Sequence, residues 1–328
     1  MADHRHTRRI GTTAAIAALL IAVVLPAVTH AQQRRQQPSQ RSRRGGARVR
    51  PTHADVPYGK HPQQKIDIYL ATSDKPTPLV LYIHGGGFRG GSKRGVNPKP
   101  FLDAGISLAA IEYRFVQHKR LPAAHHDCRR AIQFLRHHAK RYNFDKTRVG
   151  AFGGSAGAQL CMYLGFHDDM ADAKSDDPIA RESTRLTCLA TGGGQTTMDF
   201  AWWHKNVPGY DQPHRDISAV FDANTPEGTR KIVAEISALS LIGKDDPPIF
   251  MSYGMKPDAP VPSGARARGW KVHHVVFGVK LKEKMDALGV EADLQYPGAR
   301  TKYGSRERFL ITKLTSARSG QVGRRTAS

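Results

Sequence analysis

Arg148-Val149-Gly150-Ala151-Phe152-Gly153-Gly154-Ser155-Ala156-Gly157 is the stretch whose reading decides the fold. Residues 148–152 are a short apolar run of strand character. They lead directly into Gly-Gly-Ser-Ala-Gly, a G-x-S-x-G pattern, and residues 156–166 continue as a nearly all-apolar segment that reads as a buried helix. A serine that is to act as a nucleophile has to stand on a tight turn with its oxygen exposed. Small neighbours let the backbone make that turn, and a helix starting at Ala156 points its positive dipole end at the same place. A bare G-x-S-x-G is a weak signal. A strand before it and a helix after it make it a strong one.

The surrounding chain repeats the strand–helix alternation. Strands are predicted over 64–70, 79–83, 106–113, 186–191, 248–253 and 292–296, and helices over 123–142, 277–288 and 305–315. Alternation of this kind implies β-α-β units, hence a mostly parallel sheet covered on both faces. Two stretches depart from it. Residues 194–235, which include Trp202 and Trp203, look like an insertion over the strand ends. Residues 255–273 form a long connection rich in Pro, Gly and Arg, and long loops in compact domains are usually functional.

Directly after the 79–83 strand comes His84-Gly85-Gly86-Gly87-Phe88. Acyl transfer builds negative charge on a carbonyl oxygen, and backbone N–H groups stabilise that charge when no side chain blocks approach. A glycine run supplies such amides. A phosphate loop is the competing reading, but no Lys-Ser/Thr follows at the spacing that nucleotide binding needs.

Together these motifs resemble the hormone-sensitive-lipase-like and feruloyl-esterase-like carboxylesterases of the α/β-hydrolase superfamily. The resemblance covers about residues 55–315 and includes Glu112-Tyr113-Arg114 and Lys244-Asp245-Asp246-Pro247-Pro248. It implies an α/β-hydrolase fold, with Ser155 as nucleophile and an oxyanion hole from the N–H groups of Gly86, Gly87 and Ala156. It also implies that Asp258, within Pro257-Asp258-Ala259-Pro260-Val261-Pro262, is the triad acid. The lesser reading of those residues is a turn aspartate among prolines. The implied activity is hydrolysis of small acyl esters or of acyl groups on carbohydrate, with no metal or organic cofactor.

One member of the pattern is missing. Such families place the base in a Pro-Gly-x-x-His loop after the last strand. Here the loop reads Tyr296-Pro297-Gly298-Ala299-Arg300-Thr301-Lys302-Tyr303-Gly304, and no histidine follows His274. Serine is a poor nucleophile without an adjacent base. Either His273 or His274 replaces it, with His274 taken as the working choice, or the scaffold binds ligands with impaired turnover. His125, His126, His137 and His138 share one helix and read as a solvated basic face rather than a metal site, since no Glu completes a metalloprotease pattern. Trp202 and Trp203 either line a pocket or pack the insertion.

The remaining signals concern the ends. Residues 1–50 hold ten Lys or Arg against one acid and residues 299–328 eight against one, so most of the net charge of +22 sits at the termini. Such ends either attract polyanions or serve as solvated tails. No aromatics interleave the N-terminal basic run, so no specific nucleic-acid partner is expected. Residues 1–31 read as a signal peptide: Arg5, Arg8 and Arg9, an apolar run over 14–28, then Thr29-His30-Ala31 as a cleavage site. That predicts a periplasmic or secreted protein without a stable membrane span, the alternative being an uncleaved anchor. Residues 32–52 are expected to be a disordered basic linker, 53–316 the folded domain and 317–328 a disordered tail. Cys128, Cys161 and Cys188 cannot all pair within one chain and are expected as buried thiols.

Overall fold

A computed structural model describes residues 49–216 and 219–316 of the protein. The expected signal peptide, nearly all of the expected linker and the C-terminal tail lie outside the described residues. Within them the strands are β1 (His53–Pro57), β2 (Lys65–Tyr69), β3 (Thr77–Ile83), β4 (Ser107–Ile111), β5 (Phe144–Gly154), β6 (Cys188–Gly192), β7 (Ile249–Ser252) and β8 (Ala292–Gln295). They form one sheet in the order β1-β2-β4-β3-β5-β6-β7-β8. β1 and β2 are antiparallel to their neighbours, and all other pairings are parallel. This is an α/β-hydrolase fold.

Continuous apolar runs make the central strands because both sheet faces are buried. On one face the core includes Phe101 of α1 (Lys99–Asp103) and Phe309, Leu310 and Leu314 of α9 (Arg306–Ser316), packed on Phe152 and Phe250. On the other lie α2 (Ala123–His137), α3 (Ala156–Phe166) and α8 (Val276–Ala287), with Cys128, Leu160 and Phe277 in the larger core. Every residue of α3 is buried, as its unbroken apolar sequence predicts. All three cysteines are buried free thiols.

Several boundaries differ from the sequence reading. β1 is an edge strand with no fully buried residue, so it carries no hydrophobic signal. β5 starts four residues earlier than predicted, because Phe144 pairs with Thr77 across a bulge. α2 ends at His137 rather than near Tyr142, and Asn143, at φ 54°, turns the chain into β5.

The 194–235 segment contains α4 (Phe200–Asn206) and α5 (Pro226–Ile236), followed by the short α6 (Ala238–Leu241). Asp199 caps α4 by accepting from the N–H groups of Ala201 and Trp202, and Thr225 caps α5 ahead of Pro226. The Pro/Gly/Arg-rich connection contains α7 (Ala265–Val272), which has no buried residue and therefore no apolar periodicity by which to find it.

The registers set the site. Ile83 of β3 pairs with Gly153 of β5, and Gly154 pairs with Gly192 of β6. The glycine run after β3, the turn after β5 and the glycines after β6 therefore meet at one edge, at the C-terminal ends of the parallel strands.

Candidate active site

Ser155 occupies the turn between β5 and α3 at φ 53° and ψ −120°, a conformation that a residue with a Cβ rarely adopts. Its N–H donates to Gly192 O at 2.8 Å, which anchors the turn on β6. The turn is pressed against β3 so closely that a Cβ on Gly157 would lie 2.0 Å from Ile83 O and 2.7 Å from His84 O. Only glycine fits there, which explains the last glycine of the motif.

The glycine run curls beside this turn, with Gly86 at φ 114° and Gly87 at φ 61°. A buried network holds it. The His84 ring stacks on Tyr113 with centroids 4.4 Å apart, its Nδ1 bonds Gly85 O at 2.7 Å, and its Nε2 meets Glu112 Oε2 at 3.0 Å. The Tyr113 hydroxyl donates to His84 O at 2.9 Å. Burial opposes the Glu112 charge, yet bonds from His84, the Lys93 N–H and Ser92 keep its carboxyl below the ordinary range. Arg114 pairs with Asp127. The Glu-Tyr-Arg motif thus braces the loop that carries the amides.

Gly87 and Ala156 line a cavity of about 20 Å³ next to Ser155, room for roughly one oxygen-sized group. Ala156 is the first residue of α3, so its N–H has no intrahelical acceptor. Gly86 lies one residue back from that cavity. On its other side Ser155 opens into a pocket of about 620 Å³, lined by Tyr82, Phe101 and Phe152 on one hand and Asn97, Arg306 and Glu307 on the other.

The residue beside the serine is His273, not His274. His273 follows α7 and sets Nε2 2.9 Å from Ser155 Oγ. Its Nδ1 lies 2.8 Å from Gly269 O, one helical turn back. A carbonyl oxygen only accepts, so Nδ1 carries a proton and Nε2 of the neutral ring is free to accept from the serine hydroxyl.

The expectation for His274 is corrected: it is 1% exposed, faces Trp270, and its Nδ1 accepts from the Val276 N–H. Burial lowers its pKa, and its Nε2 has no hydrogen-bond partner among the described residues. Successive residues at a helix end point in different directions, so only one of two neighbouring histidines can face Ser155.

Asp258 is not brought to this pair either. It is exposed in the turn closed by the Ala259 N–H to Lys256 O bond, and the Nδ1 position it was expected to hold faces the Gly269 carbonyl.

Trp203 is 1% exposed, donates to Thr197 O and also borders the small cavity, whereas Trp202 stacks on Phe277. His125 does not lie on a solvated face. It is fully buried, bonds Gln159 Oε1 through Nε2, and burial lowers its pKa to about 3. His214 and Arg215, which the sequence reading passed over, border the small cavity from the insertion. They had no motif to mark them.

The sheet order, the strained serine and its histidine define an α/β hydrolase. Residues 66–265 match the BD-FAE family profile, and the chain belongs to that family of esterase-like α/β hydrolases. Among curated proteins it is 23% identical over 206 residues to esterase LipC of Mycobacterium tuberculosis, covering 61% of this chain and 50% of that one. It is 25% identical over 197 residues to probable carboxylesterase 6 of Arabidopsis thaliana, covering 49% and 56%. The chain spans half or less of the length of the first curated relatives it matches.

Among solved structures, a truncated carbohydrate esterase from gut microbiota superposes with TM-score 0.64 at 20% identity, covering 83% of this chain and 99% of that one. An esterase of Thermogutta terrifontis gives TM-score 0.54 at 19% identity, covering 79% and 89%. At these identities the likeness concerns the fold.

Proposed function

We propose that the protein is an exported serine carboxylesterase that hydrolyses small acyl esters or acyl groups on carbohydrate through an acyl-enzyme on Ser155. The 2.9 Å contact between Ser155 Oγ and His273 Nε2 carries this reading. Oγ attacks the ester carbonyl as its proton passes to Nε2. The carbonyl π electrons move to oxygen, where the amides of Gly87 and Ala156, with Gly86 behind them, are the expected donors. Collapse breaks the bond to the alkoxide, which takes the proton from His273. Water, deprotonated by the same nitrogen, then attacks the acyl-enzyme and returns Ser155 with release of the acid.

Gly269 O keeps His273 in the productive tautomer without supplying the full negative charge that a carboxylate would set against the imidazolium. Slower turnover than that of a complete triad follows.

The carbohydrate part of the reading draws on the mix of aromatic and polar side chains in the 620 Å³ pocket and on the likeness to the carbohydrate esterase from gut microbiota. Export rests on the sequence of residues 1–31. Among the described residues, no helix is long and apolar enough to cross a membrane. The missing carboxylate favours a second reading, a hydrolase scaffold that only binds. Steady-state hydrolysis of 4-nitrophenyl acetate decides between them: Ser155-dependent turnover is the result expected of an esterase, and wild-type rates equal to Ser155→Ala are those of a binding protein.

A further inference from the structure

Arginine charge borders the small cavity beside Ser155, and among the described residues no ion pair joins it to a carboxylate. Arg215 reaches into the cavity from the insertion. Its Nη1 donates to Gly87 O at 3.1 Å and its Nε to His214 Nε2 at 2.8 Å. Nη2 stands 3.3 Å from where a Cβ on Gly87 would be, against the loop that faces the nucleophile.

Both acceptors are neutral. His214 Nε2 accepts a hydrogen bond from the Arg215 Nε–H, and burial, together with Arg215, Arg268 and His273, takes that ring's pKa down to about 3. Two more arginines lie close. Arg268 donates to His214 O at 3.0 Å, and Arg89 stands two residues beyond Gly87. Burial and these two cations lower the pKa of Arg215.

Three other partly buried arginines face acids: Arg114 meets Asp127, Arg148 meets Asp145 and Arg185 meets Asp246. Arg136, buried in α2, is held by the carbonyls of Ser183 and Arg185, and among the described residues no second cation adds to the burial that lowers its pKa. Among the described residues no ion pair joins Arg89, Arg215 or Arg268 to a carboxylate. A half-buried guanidinium that has two further cations beside it and only neutral acceptors is costly unless an anion comes to it.

We propose that Arg215, supported by Arg89 and Arg268, is an anion subsite, and that the preferred ester carries a carboxylate next to its scissile bond. Binding at the subsite stands on its own. Calling the bound anion part of a substrate rests on the esterase reading of Ser155.

Two measurements on the full chain at low ionic strength test this. The first compares kcat/KM for 3-acetoxybenzoate with that for the neutral 3-acetoxybenzamide. The second titrates benzoate and benzamide calorimetrically. The expected result is a preference of tenfold or more for the charged member in both. It shrinks with added salt and falls several-fold in Arg215→Gln and in the Arg89→Gln/Arg268→Gln pair. The latter two side chains are exposed, so their loss tests the charge even where Arg215→Gln disturbs folding.

Equal binding of benzoate and benzamide overturns the proposal. So does a charged-to-neutral ratio that the variants leave unchanged while both rates drop together, because Arg215 would then act on the reaction's own oxyanion. Selective benzoate binding without hydrolysis of either ester keeps the subsite and removes the esterase reading.

Discussion

His273 Nε2 lies 2.9 Å from Ser155 Oγ, and His273 arrives there from the end of α7, between β7 and β8. The loop after β8, where the sequence lacks a histidine, has a structural role instead: the Lys302 N–H and the Tyr303 N–H both donate to Asp293. On the proposed esterase reading, the base comes from a different connection at the same edge of the sheet. Its Nδ1 faces the carbonyl of Gly269 four residues back, where the family pattern would set a carboxylate.

The two adjacent histidines are therefore expected to differ sharply. His273→Gln lowers kcat by about 10³-fold or more, within the range seen when a member of such a constellation is lost. His274→Asn keeps a side-chain acceptor near the Val276 N–H and leaves kcat/KM within about threefold. Steady-state kinetics with thermal melts on both variants checks this, and the reverse order of effects would contradict it.

Asp258 is exposed and is not paired with His273. Asp258→Asn is predicted to leave kcat and its pH profile within about twofold of wild type. A loss of 10³-fold would mean that the aspartate closes onto the histidine during turnover.

The strand–turn–helix around Ser155 was legible in the sequence because the chemistry demands local features: a buried apolar strand, small turn residues and an all-apolar helix. The amide loop was legible for the same reason. The choice between His273 and His274 was not, since it depends on where α7 ends, and α7 is an exposed helix without apolar periodicity. Asp258 matched a family pattern, but a proline-rich turn can present such a residue to solvent as readily as to a site. Arg215 becomes meaningful only when the insertion folds back on Gly87, a contact between residues 128 positions apart.

Gly157→Ala places a methyl 2.0 Å from Ile83 O, a backbone atom of a central strand that cannot swing aside. The substitution is expected to destabilise by about 3 kcal/mol in urea unfolding and to lower activity through displacement of Ser155. Wild-type stability would show the turn to be looser than described.

Burial takes the His125 pKa to about 3, whereas its unfolded value is near 6.5. The folded state thus binds fewer protons, so this contribution to stability is complete above pH ~6.5 and is lost as pH falls toward 3. The slope is about 1.4 kcal/mol per unit. His214, lowered to about 3 mainly by burial, acts with the same sign. Between pH 7 and 5, wild type should lose about 2 kcal/mol more than His125→Asn in urea titrations. Parallel losses would mean that His125 takes up its proton without unfolding.

Activation of the Ser155 hydroxyl by His273, just past the end of α7, is what the esterase reading depends on. Intact-mass spectrometry after exposure to a fluorophosphonate, followed by peptide mapping, tests it directly. A single phosphonyl adduct on Ser155, absent from Ser155→Ala and forming at least a hundredfold more slowly in His273→Gln, is the predicted result. No adduct on the folded wild type, or an equal rate in His273→Gln, would contradict it.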